Sequence, residues 1–500
     1  MLLFLPIVIP LAAGALCAAA ATAWPRTTRW IGLAGTIALL AAVIALAVEV
    51  QGGIQVAHTG AWPAPYGISL VADGLSAIMV LMTGITALLM AIFSNATMDT
   101  RRLKDGYYFL FFVLLAGVNG AFLTGDLFNL YVWFEVLLIA SFVLIVLGGT
   151  RRQFGGAVKY VTMNLVGSVV FLSAVGIIYG NTGTLNMAHL ATRIPEIESG
   201  SVRQASYGLL LVAFGIKAGV FPLFSWLPAS YHTPPHVVTT LFSALLTKVG
   251  VYALIRASTL LFPAEHAQFQ PFVLVVASLT MVAGVLGAVA QYNLRKLLSF
   301  HIVSQIGYLI FGVALATAGS LAASICFMVH VMAAKGALFV SGAFMHYLRG
   351  TSDLKQLGSF AATRPAFALL FAVPALSLAG LPPFSGFVGK YALVKAGLEG
   401  GAYITVFVSL AVSILTLYSM TKIWNEAFWK AAPREVHAHV PERQLSRVQT
   451  WGILAPGVVL AAFSVLLSVA AAPLLAVSTA AAAELLDPQA YISAVLGVAP

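Results

Sequence analysis

Long apolar runs recur along the chain, and short polar segments separate them. A helix needs about 20 mainly apolar residues to cross a bilayer, and about fourteen runs approach that length. They are residues 2–22, 29–50, 69–93, 107–124, 127–149, 157–180, 206–230, 235–258, 269–291, 298–317, 321–347, 366–397, 402–425 and 451–475. Because the runs are continuous rather than alternating, they predict an all-α polytopic membrane protein and not a barrel. The first run ends in small residues but lacks a positive start, so we expect a retained helix rather than a signal peptide.

Composition excludes most other classes of protein. Of the 500 residues, 60% are hydrophobic and only 8% are charged, whereas a soluble domain carries roughly 25% charged residues. This excludes a soluble enzyme, a nucleic-acid-binding protein and a disordered chain. The two cysteines, Cys17 and Cys326, lie in separate apolar runs, so we expect neither a disulfide nor a cysteine metal site.

The basic residues predict an orientation in the membrane. If the N-terminus lies outside, 18 of the 26 Lys and Arg residues fall in inward loops, which fits the positive-inside rule. These residues are Arg26, Arg29, Arg101, Arg102, Lys104, Arg151, Arg152, Lys159, Arg295, Lys296, Arg349, Lys355, Arg364, Lys422, Lys430, Arg434, Arg443 and Arg447. Four others fall on the outer side of the membrane; they are Arg193, Arg203, Arg256 and Lys395. The expected location is a bacterial plasma membrane, crossed many times, with both termini on the outer side.

The four remaining lysines, Lys217, Lys248, Lys335 and Lys390, lie inside apolar runs. A lysine in mid-membrane costs about 2.5–3.5 kcal/mol on insertion scales. Among the 16 acidic residues, only Glu135 is expected deep in a span. Four buried cations cannot all stay charged beside one anion, so the charge on each depends on its neighbours. This predicts a switchable proton relay; the alternative is that the lysines snorkel to the interface.

Proline and glycine interrupt two of the predicted spans. Pro222 follows Lys217, and Pro382 and Pro383 precede Lys390. A proline lacks the amide proton that a helical carbonyl four residues earlier would accept, so backbone carbonyls are freed at both places. Two broken spans at corresponding places indicate an inverted-repeat transporter. The alternative is that the prolines merely kink ordinary helices.

Polar side chains recur at helical spacing on three further runs. They are His236, Thr240 and Ser243 on the eighth, His301, Gln305 and Tyr308 on the tenth, and His330 on the eleventh. The set fits a proton-conducting chain of water molecules and side chains. Each histidine alone, however, is better explained by one interhelical hydrogen bond. His437 and His439 lie in a charged loop without further ligands, so no metal and no cofactor is expected. Because sodium prefers several oxygen ligands, we expect protons to be handled directly, and sodium at a shared site or in a partner.

Six stretches carry a resemblance to a known family. They are residues 125–141 (GDLFNLYVWFEVLLIAS), 185–190 (LNMAHL), 217–223 (KAGVFPL), 244–252 (ALLTKVGVY), 295–308 (RKLLSFHIVSQIGY) and 380–390 (GLPPFSGFVGK). The sequence resembles the antiporter-like membrane subunits shared by respiratory complex I and the Mrp-type cation/proton antiporters, and within them the D-type branch of the Mrp subunits.

The resemblance implies fourteen helices, with inverted five-helix repeats at spans 4–8 and 9–13 and broken helices at spans 7 and 12. It pairs Glu135 with Lys217, and it places Lys248 and Lys390 at family lysine positions; His330 and Lys335 match more loosely. The chain ends soon after span 14 without a long lateral helix, unlike the largest members. The expected divisions are 1–106, 107–258, 269–425 and 426–500, the last comprising a cytoplasmic loop, span 14 and a tail.

The leading hypothesis is a proton-translocating subunit of a multisubunit Na⁺(Li⁺, K⁺)/H⁺ antiporter, driven by the proton-motive force. Its partners would be other subunits, the lipid bilayer, protons and monovalent cations, with no nucleic acid and no catalysed reaction. The alternatives are a proton-pumping subunit of complex I or of a membrane-bound hydrogenase, a scaffold with a vestigial polar axis, and a transporter of organic solutes. For the last, the sequence offers no clear aromatic or cationic pocket.

Overall fold

The computed structural model describes residues 1–432 and 443–497, and each apolar run of the sequence contains a helix or a helix pair. The helices are α1 Leu5–Ala21, α2 Thr27–Glu49, α3 Gly74–Thr97, α4 Thr100–Lys104, α5 Tyr107–Leu123, α6 Leu127–Val146, α7 Arg151–Thr182, α8 Met187–Arg193, α9 Gly200–Ala218, α10 Trp226–Ser230, α11 His236–Arg256, α12 Pro263–Val289, α13 Leu294–Leu315, α14 Ala318–Arg349, α15 Phe360–Thr363, α16 Pro365–Ala379, α17 Ser385–Glu399, α18 Tyr403–Ile423, α19 Arg447–Val469, α20 Ala471–Leu486 and α21 Pro488–Leu496.

Eleven helices of the described residues are long and apolar enough to cross a membrane. Shorter apolar helices form at Tyr107–Leu123, Pro365–Ala379 and Ala471–Leu486. The polytopic helical architecture is therefore confirmed, while the count of fourteen spans stays a prediction. Arg434, His437 and His439, for which the sequence predicts a loop without a metal site, lie outside the described residues.

Three helices form the centre of the bundle. The most apolar windows of α11 and α14 are completely buried and that of α13 is 94% buried, whereas α2 has only 33% of its window buried. A helix buried on all sides has no solvent or lipid face on which to place its polar residues. Every polar side chain on these helices must therefore find a partner inside the bundle.

The two predicted helix breaks are present, and glycine ends the helix at each. Gly219 (φ +81°) follows α9 and Gly380 (φ +88°) follows α16, both in the left-handed conformation. The amides of Val220 and Leu381, the residues after the two glycines, donate back to carbonyls five residues earlier. This is a glycine C-cap, so each helix ends before the prolines to which the sequence pattern attributes the break.

Two isolated β-bridges of the same form lie just before α6 and α13. Asp126, before α6, forms an isolated antiparallel bridge with Asn186, which follows α7. Asn293, before α13, forms the same bridge with Asp353, which follows α14. The local structure around α6–α7 therefore recurs around α13–α14. The division of the chain into repeats with the bounds given above stays a prediction.

One predicted run is not helical throughout. Strand β1, Gln55–His58, pairs antiparallel with strand β2, Ser69–Ala72, so the third apolar run begins as a strand. Helix α3 begins only after Asp73, whose carboxylate accepts from the amide of Ser76 as an N-cap. A fully buried strand has no polar alternation, so its sequence is indistinguishable from the start of a buried helix.

The segment after residue 475, expected as a tail, is helical. Helix α20 packs against α14 and α3, and α21 packs against α8. The carboxylate of Glu484 accepts a hydrogen bond from the amide of Gly74 at 2.8 Å, which fixes α20 to the start of α3. These contacts hold the alanine-rich segment against the bundle.

Gly250 brings α11 into direct contact with the first helix break. A Cβ at Gly250 would lie 2.5 Å from the backbone nitrogen of Ala218. We therefore expect Gly250→Ala to destabilise the protein by about 1–3 kcal/mol, because backbone cannot yield to an added methyl group. The measurement is thermal unfolding of the purified chain in detergent. Gly176→Ala is the control, since its Cβ would meet no atom within 4 Å; equal melting temperatures for the two variants would contradict the prediction.

Candidate functional site

Ser168 of α7 connects Glu135 of α6 to Lys217 of α9. Its hydroxyl donates to the Glu135 carboxylate and accepts from the Lys217 ammonium group at 3.0 Å. The ammonium group also donates to the Asn164 carbonyl at 3.1 Å and lies 5.6 Å from the centre of the Phe134 ring. Lys217 is 5% exposed, whereas Glu135 is only partly buried. The pair predicted from the sequence is thus bridged by a hydroxyl group.

Lys217 does not use the carbonyl that was expected beside it. Pro222 cannot donate to the carbonyl of Ala218, which would leave that carbonyl free for the lysine, but the amine donates to Asn164 and Ser168 of α7 instead. The break still matters for its position, because the Trp226 indole beyond it donates to the Ile216 carbonyl at 3.1 Å. This contact fixes the last turn of α9, which carries Lys217.

Lys248 and Lys335 occupy the central helices, and both are fully buried. Lys248 reaches back along α11, where its amine donates to the Ser243 carbonyl at 2.6 Å. Lys335 of α14 donates to the Leu298 carbonyl of α13 at 3.2 Å. The Lys335 ammonium group experiences electrostatic repulsion from Lys248 and from Lys390. The central lysines are therefore coupled through their charges.

Lys390 uses the carbonyls freed by the second break. Its amine donates to the carbonyls of Leu378 and Ala379, at 3.1 Å each, and to the Ser413 hydroxyl at 3.1 Å. The same amine lies 4.6 Å from the centre of the Tyr308 ring, and the Tyr308 hydroxyl bonds to Ser413 at 2.8 Å. The break that contains Pro382 and Pro383 thus supplies the acceptors for this lysine, as the sequence predicts.

The histidines lie at different depths of the bundle. His301 contacts the Ser419 hydroxyl at 2.9 Å, and His330 contacts the Ser385 hydroxyl at 2.8 Å. His236 forms the first residue of α11, and its ring lies 4.6 Å from that of His346. His236 is therefore at the end of the bundle rather than beside the central lysines. Thr240 donates back to the His236 carbonyl at 2.9 Å.

Unpaired polar atoms mark the axis of the three central helices. Within residues 1–432 and 443–497, eight buried hydroxyl, imidazole and amide atoms on α11, α13 and α14 lack a hydrogen-bonding partner in the chain. They are His236 Nε2, Ser243 Oγ, Thr247 Oγ1, His301 Nδ1, Ser304 Oγ, Gln305 Nε2, Gln305 Oε1 and His330 Nε2. Since buried polar atoms almost always bond to protein or to ordered water, we expect water along this axis.

Comparison with known proteins identifies the family. The model of the family described as "NADH:quinone oxidoreductase/Mrp antiporter, TM" matches residues 124–416. The chain belongs to this family. The match contains Glu135 and all four buried lysines.

Curated relatives of this antiporter-family chain extend over nearly its whole length. It is 43% identical to the D subunit of a Na(+)/H(+) antiporter from Alkalihalophilus pseudofirmus, over 99% of both chains. It is 41% identical to the D subunit of a Na(+)/H(+) antiporter from Bacillus subtilis, over 89% of both. The relatives are transporter subunits, in agreement with the expectation that the chain is not an enzyme.

Solved structures agree with this assignment. A chain of the Mrp complex from Dietzia sp. superposes with a TM-score of 0.91 at 34% identity, covering 99% of each chain. A chain of respiratory complex I from Thermus thermophilus superposes with a TM-score of 0.81 at 23% identity, covering 97% of this chain and 100% of that one. The second likeness shows a shared fold. Both neighbours belong to multisubunit membrane assemblies.

The hydroxyl groups that hold two buried lysines of this antiporter-family chain were not predicted from its sequence. Ser168 and Ser413 each accept from a buried lysine. A serine hydroxyl in an apolar run is common, and its usual partner is a carbonyl of its own helix. Only their spacing from other polar positions on α7 and α18 offered a signal.

A buried ion pair was also missed. Asp73, at the start of α3, lies 2.5 Å from Arg256 at the end of α11, and they are 2% and 4% exposed. Arg256 also donates to the hydroxyls of Tyr252 and Ser76, each at 3.1 Å. From its sequence position at the end of an apolar run, Arg256 was expected in an outer loop. In the fold it joins two distant helices.

Removing one partner of this pair leaves a buried charge without compensation. For the antiporter-family chain we expect Arg256→Met to cost about 3–5 kcal/mol of stability, with part of the loss recovered by adding Asp73→Asn, which retains a helix-capping side chain. Thermal unfolding in detergent measures both. Arg193→Met is the control, because its pair with Glu196 is exposed. A double variant no more stable than Arg256→Met alone would contradict the unpaired-charge explanation.

Proposed function

We propose that the chain is the D-type, proton-conducting subunit of a multisubunit Na⁺/H⁺ antiporter of the Mrp type, driven by the proton-motive force. The 43% identity to a named D-type antiporter subunit, over 99% of both chains, supports the class of transporter. The link from Glu135 through Ser168 to Lys217 is the observation that supports the conduction of protons.

The first step of the proposed relay is electrostatic. The Glu135 carboxylate stabilises the ammonium form of Lys217 through the intervening Ser168 hydroxyl. When Glu135 accepts a proton, that stabilisation disappears while the burial of Lys217 remains, so the lysine releases its proton to the interior. Two unit charges about 5 Å apart, the reach across one bridging hydroxyl, interact by about 3 kcal/mol at an effective dielectric of 20, which is enough to reverse a protonation equilibrium.

The released proton then crosses the central helices. Lys248 and Lys335 each hold their amine on a single backbone carbonyl, and the unpaired atoms of His301, Gln305 and His330 offer sites for bridging water. Because Lys335 repels its two neighbouring lysines, charging one favours discharge of the next. Lys390, surrounded by carbonyl and hydroxyl oxygens, is the far end of the relay in this chain.

Sodium is expected at a site shared with, or contained in, a partner subunit. In the described part of the chain, no three His, Cys, Asp or Glu side chains are grouped to hold a metal ion. Radioactive ²²Na⁺ binding to the isolated chain tests this assignment directly. Saturable binding in the absence of the other subunits would refute it.

The proposal also assigns an orientation and partners. Both termini are placed on the outer side of the plasma membrane, because most Lys and Arg residues then face the cytoplasm. The partners are inferred to be further membrane subunits, since the solved neighbours belong to multisubunit complexes.

A redox-driven proton pump is the second candidate. The shared fold with a complex I chain favours it, but identity to that chain is 23% against 43% for the antiporter relative. Neighbouring genes for small antiporter partners would support the first proposal, and neighbouring genes for peripheral redox subunits would support the second.

The relay is tested by neutralising its first pair. In everted vesicles carrying the whole gene cluster, we expect Glu135→Gln or Lys217→Gln to reduce Na⁺-dependent dissipation of the pH gradient by at least about tenfold, because a hydrogen bond to a charged group is worth about 1.5–3 kcal/mol. The control is Lys395→Gln with Glu399→Gln, an exposed pair at 64% each. Normal exchange by either relay variant in an assembled complex would refute the mechanism.

Ser168 has a separate prediction. We expect Ser168→Ala to reduce exchange by about tenfold, because it removes the hydroxyl that joins Glu135 to Lys217, whereas Ser168→Thr retains most of the activity. Ser173→Ala is the matched control on the same helix, since Ser173 bonds only to the Val169 carbonyl of its own helix. The pH dependence of exchange should shift in Ser168→Ala; an unchanged rate and profile would exclude the bridging role.

A further inference from the structure

Two grooves open side by side at the basic end of the bundle. One, of about 530 Å³, lies between α7, α10 and α13, and Phe224, Pro228 and Phe300 form its apolar wall. The other, of about 450 Å³, lies between α7 and α10 against Val158 and Met163. Lys159, Ser225 and Ala229 line both grooves. Lys159 therefore lies between the two apolar grooves.

The grooves lie near the membrane boundary. Helix α7 has 32 residues and is therefore about 48 Å long, which exceeds the hydrocarbon thickness of about 30 Å. Lys159 follows the basic start of the helix, Arg151 and Arg152, by about 12 Å, at the beginning of the apolar stretch. Lys296, in the first turn of α13, lines the first groove from the opposite side. Both ammonium groups thus lie at the depth of lipid headgroups.

The two lysines have no anionic partner in residues 1–432 and 443–497: no carboxylate there lies within 4.0 Å of Lys159 or Lys296. The neighbouring cations also act on His232, which lines the first groove. Its pKa falls to about 4, first because of burial and then because of Arg152, against the opposing hydrogen bond to the Pro228 carbonyl. The groove is therefore a region of uncompensated positive charge.

We infer that the paired grooves bind one anionic diacyl phospholipid, with its phosphate between Lys159 and Lys296 and one acyl chain in each groove. Unpaired lysines at headgroup depth attract phosphate, and basic pockets between transmembrane helices on the cytoplasmic side are suited to anionic lipids. The two apolar grooves on either side of Lys159 fit two acyl chains joined at one headgroup. The bound lipid would cover α10, whose Trp226 fixes the end of the helix that carries Lys217.

The test is a lipid titration of the purified full-length chain, followed by native mass spectrometry. Palmitoyl-oleoyl phosphatidylglycerol is compared with the phosphatidylcholine of the same chains. We expect one retained phosphatidylglycerol per chain, and Lys159→Gln with Lys296→Gln to weaken its binding by roughly tenfold to thirtyfold. The matched control, Lys104→Gln with Lys355→Gln, removes the same charge from exposed positions and should bind as the original chain does.

A second variant tests the acyl-chain grooves without changing charge. Ala229→Phe fills the space common to both grooves and should abolish retention of the lipid. The melting temperature in lipid-free detergent verifies that the variant folds. Inorganic phosphate at the same concentration should not displace the lipid, because it has no acyl chains.

The inference is overturned if the chain retains the two lipids equally, or if the Lys159/Lys296 and control variants lose lipid binding equally. It is also overturned if phosphate alone displaces the lipid. It is also overturned if the Lys159/Lys296 variant changes only the subunit composition of the assembled complex, since a protein would then occupy the grooves.

Discussion

The structure depends on how four lysine ammonium groups are accommodated inside a membrane bundle. Each of Lys217, Lys248, Lys335 and Lys390 donates to at least one backbone carbonyl. In the described residues, none lies within 4.0 Å of a carboxylate. A carbonyl dipole stabilises an ammonium group less than a carboxylate does, and it also accepts from water. These amines are therefore held in place while their charge remains adjustable.

The second helix break meets the same constraint in a different way. Lys217, Lys248 and Lys335 donate to carbonyls inside regular helices, which also accept a helical hydrogen bond. The end of a helix instead offers carbonyls that have no helical partner. The glycine cap at Gly380 and the prolines after it release the carbonyls of Leu378 and Ala379, and Lys390 takes both. At the first break, the corresponding lysine turns to α7 instead. Irregular backbone at this depth is tolerated because the surrounding helices cover it.

The bilayer made much of this fold predictable from the sequence. Hydropathy and proline positions locate the helices and both breaks, because a lipid environment forbids unpaired backbone and most charge. The β1–β2 hairpin and the pair of Asp73 with Arg256 were not predictable in this way. A buried strand has the composition of a buried helix, and the two charged residues sit at the ends of runs far apart in the sequence. The role of Ser168 was not predictable either. The rotation of α7 about its axis decides which serine faces Lys217, and this rotation depends on packing rather than on the local sequence.

The two halves of the chain treat their lysines differently, and the proposed direction of proton movement rests on that difference. Lys217 is joined to a carboxylate through Ser168, so its charge responds to protonation of Glu135. The Lys390 amine bonds to carbonyls and the Ser413 hydroxyl and faces the Tyr308 ring, and none of these groups gains or loses charge at neutral pH. The charge of Lys335 acts on it from a greater distance. A change at Glu135 therefore alters Lys217 first and reaches Lys390 only through the intervening lysines. Two equivalent ends would give the relay no preferred point at which to begin. The Glu135 carboxylate, joined to Lys217 alone of the four lysines by the Ser168 hydroxyl, supplies that point.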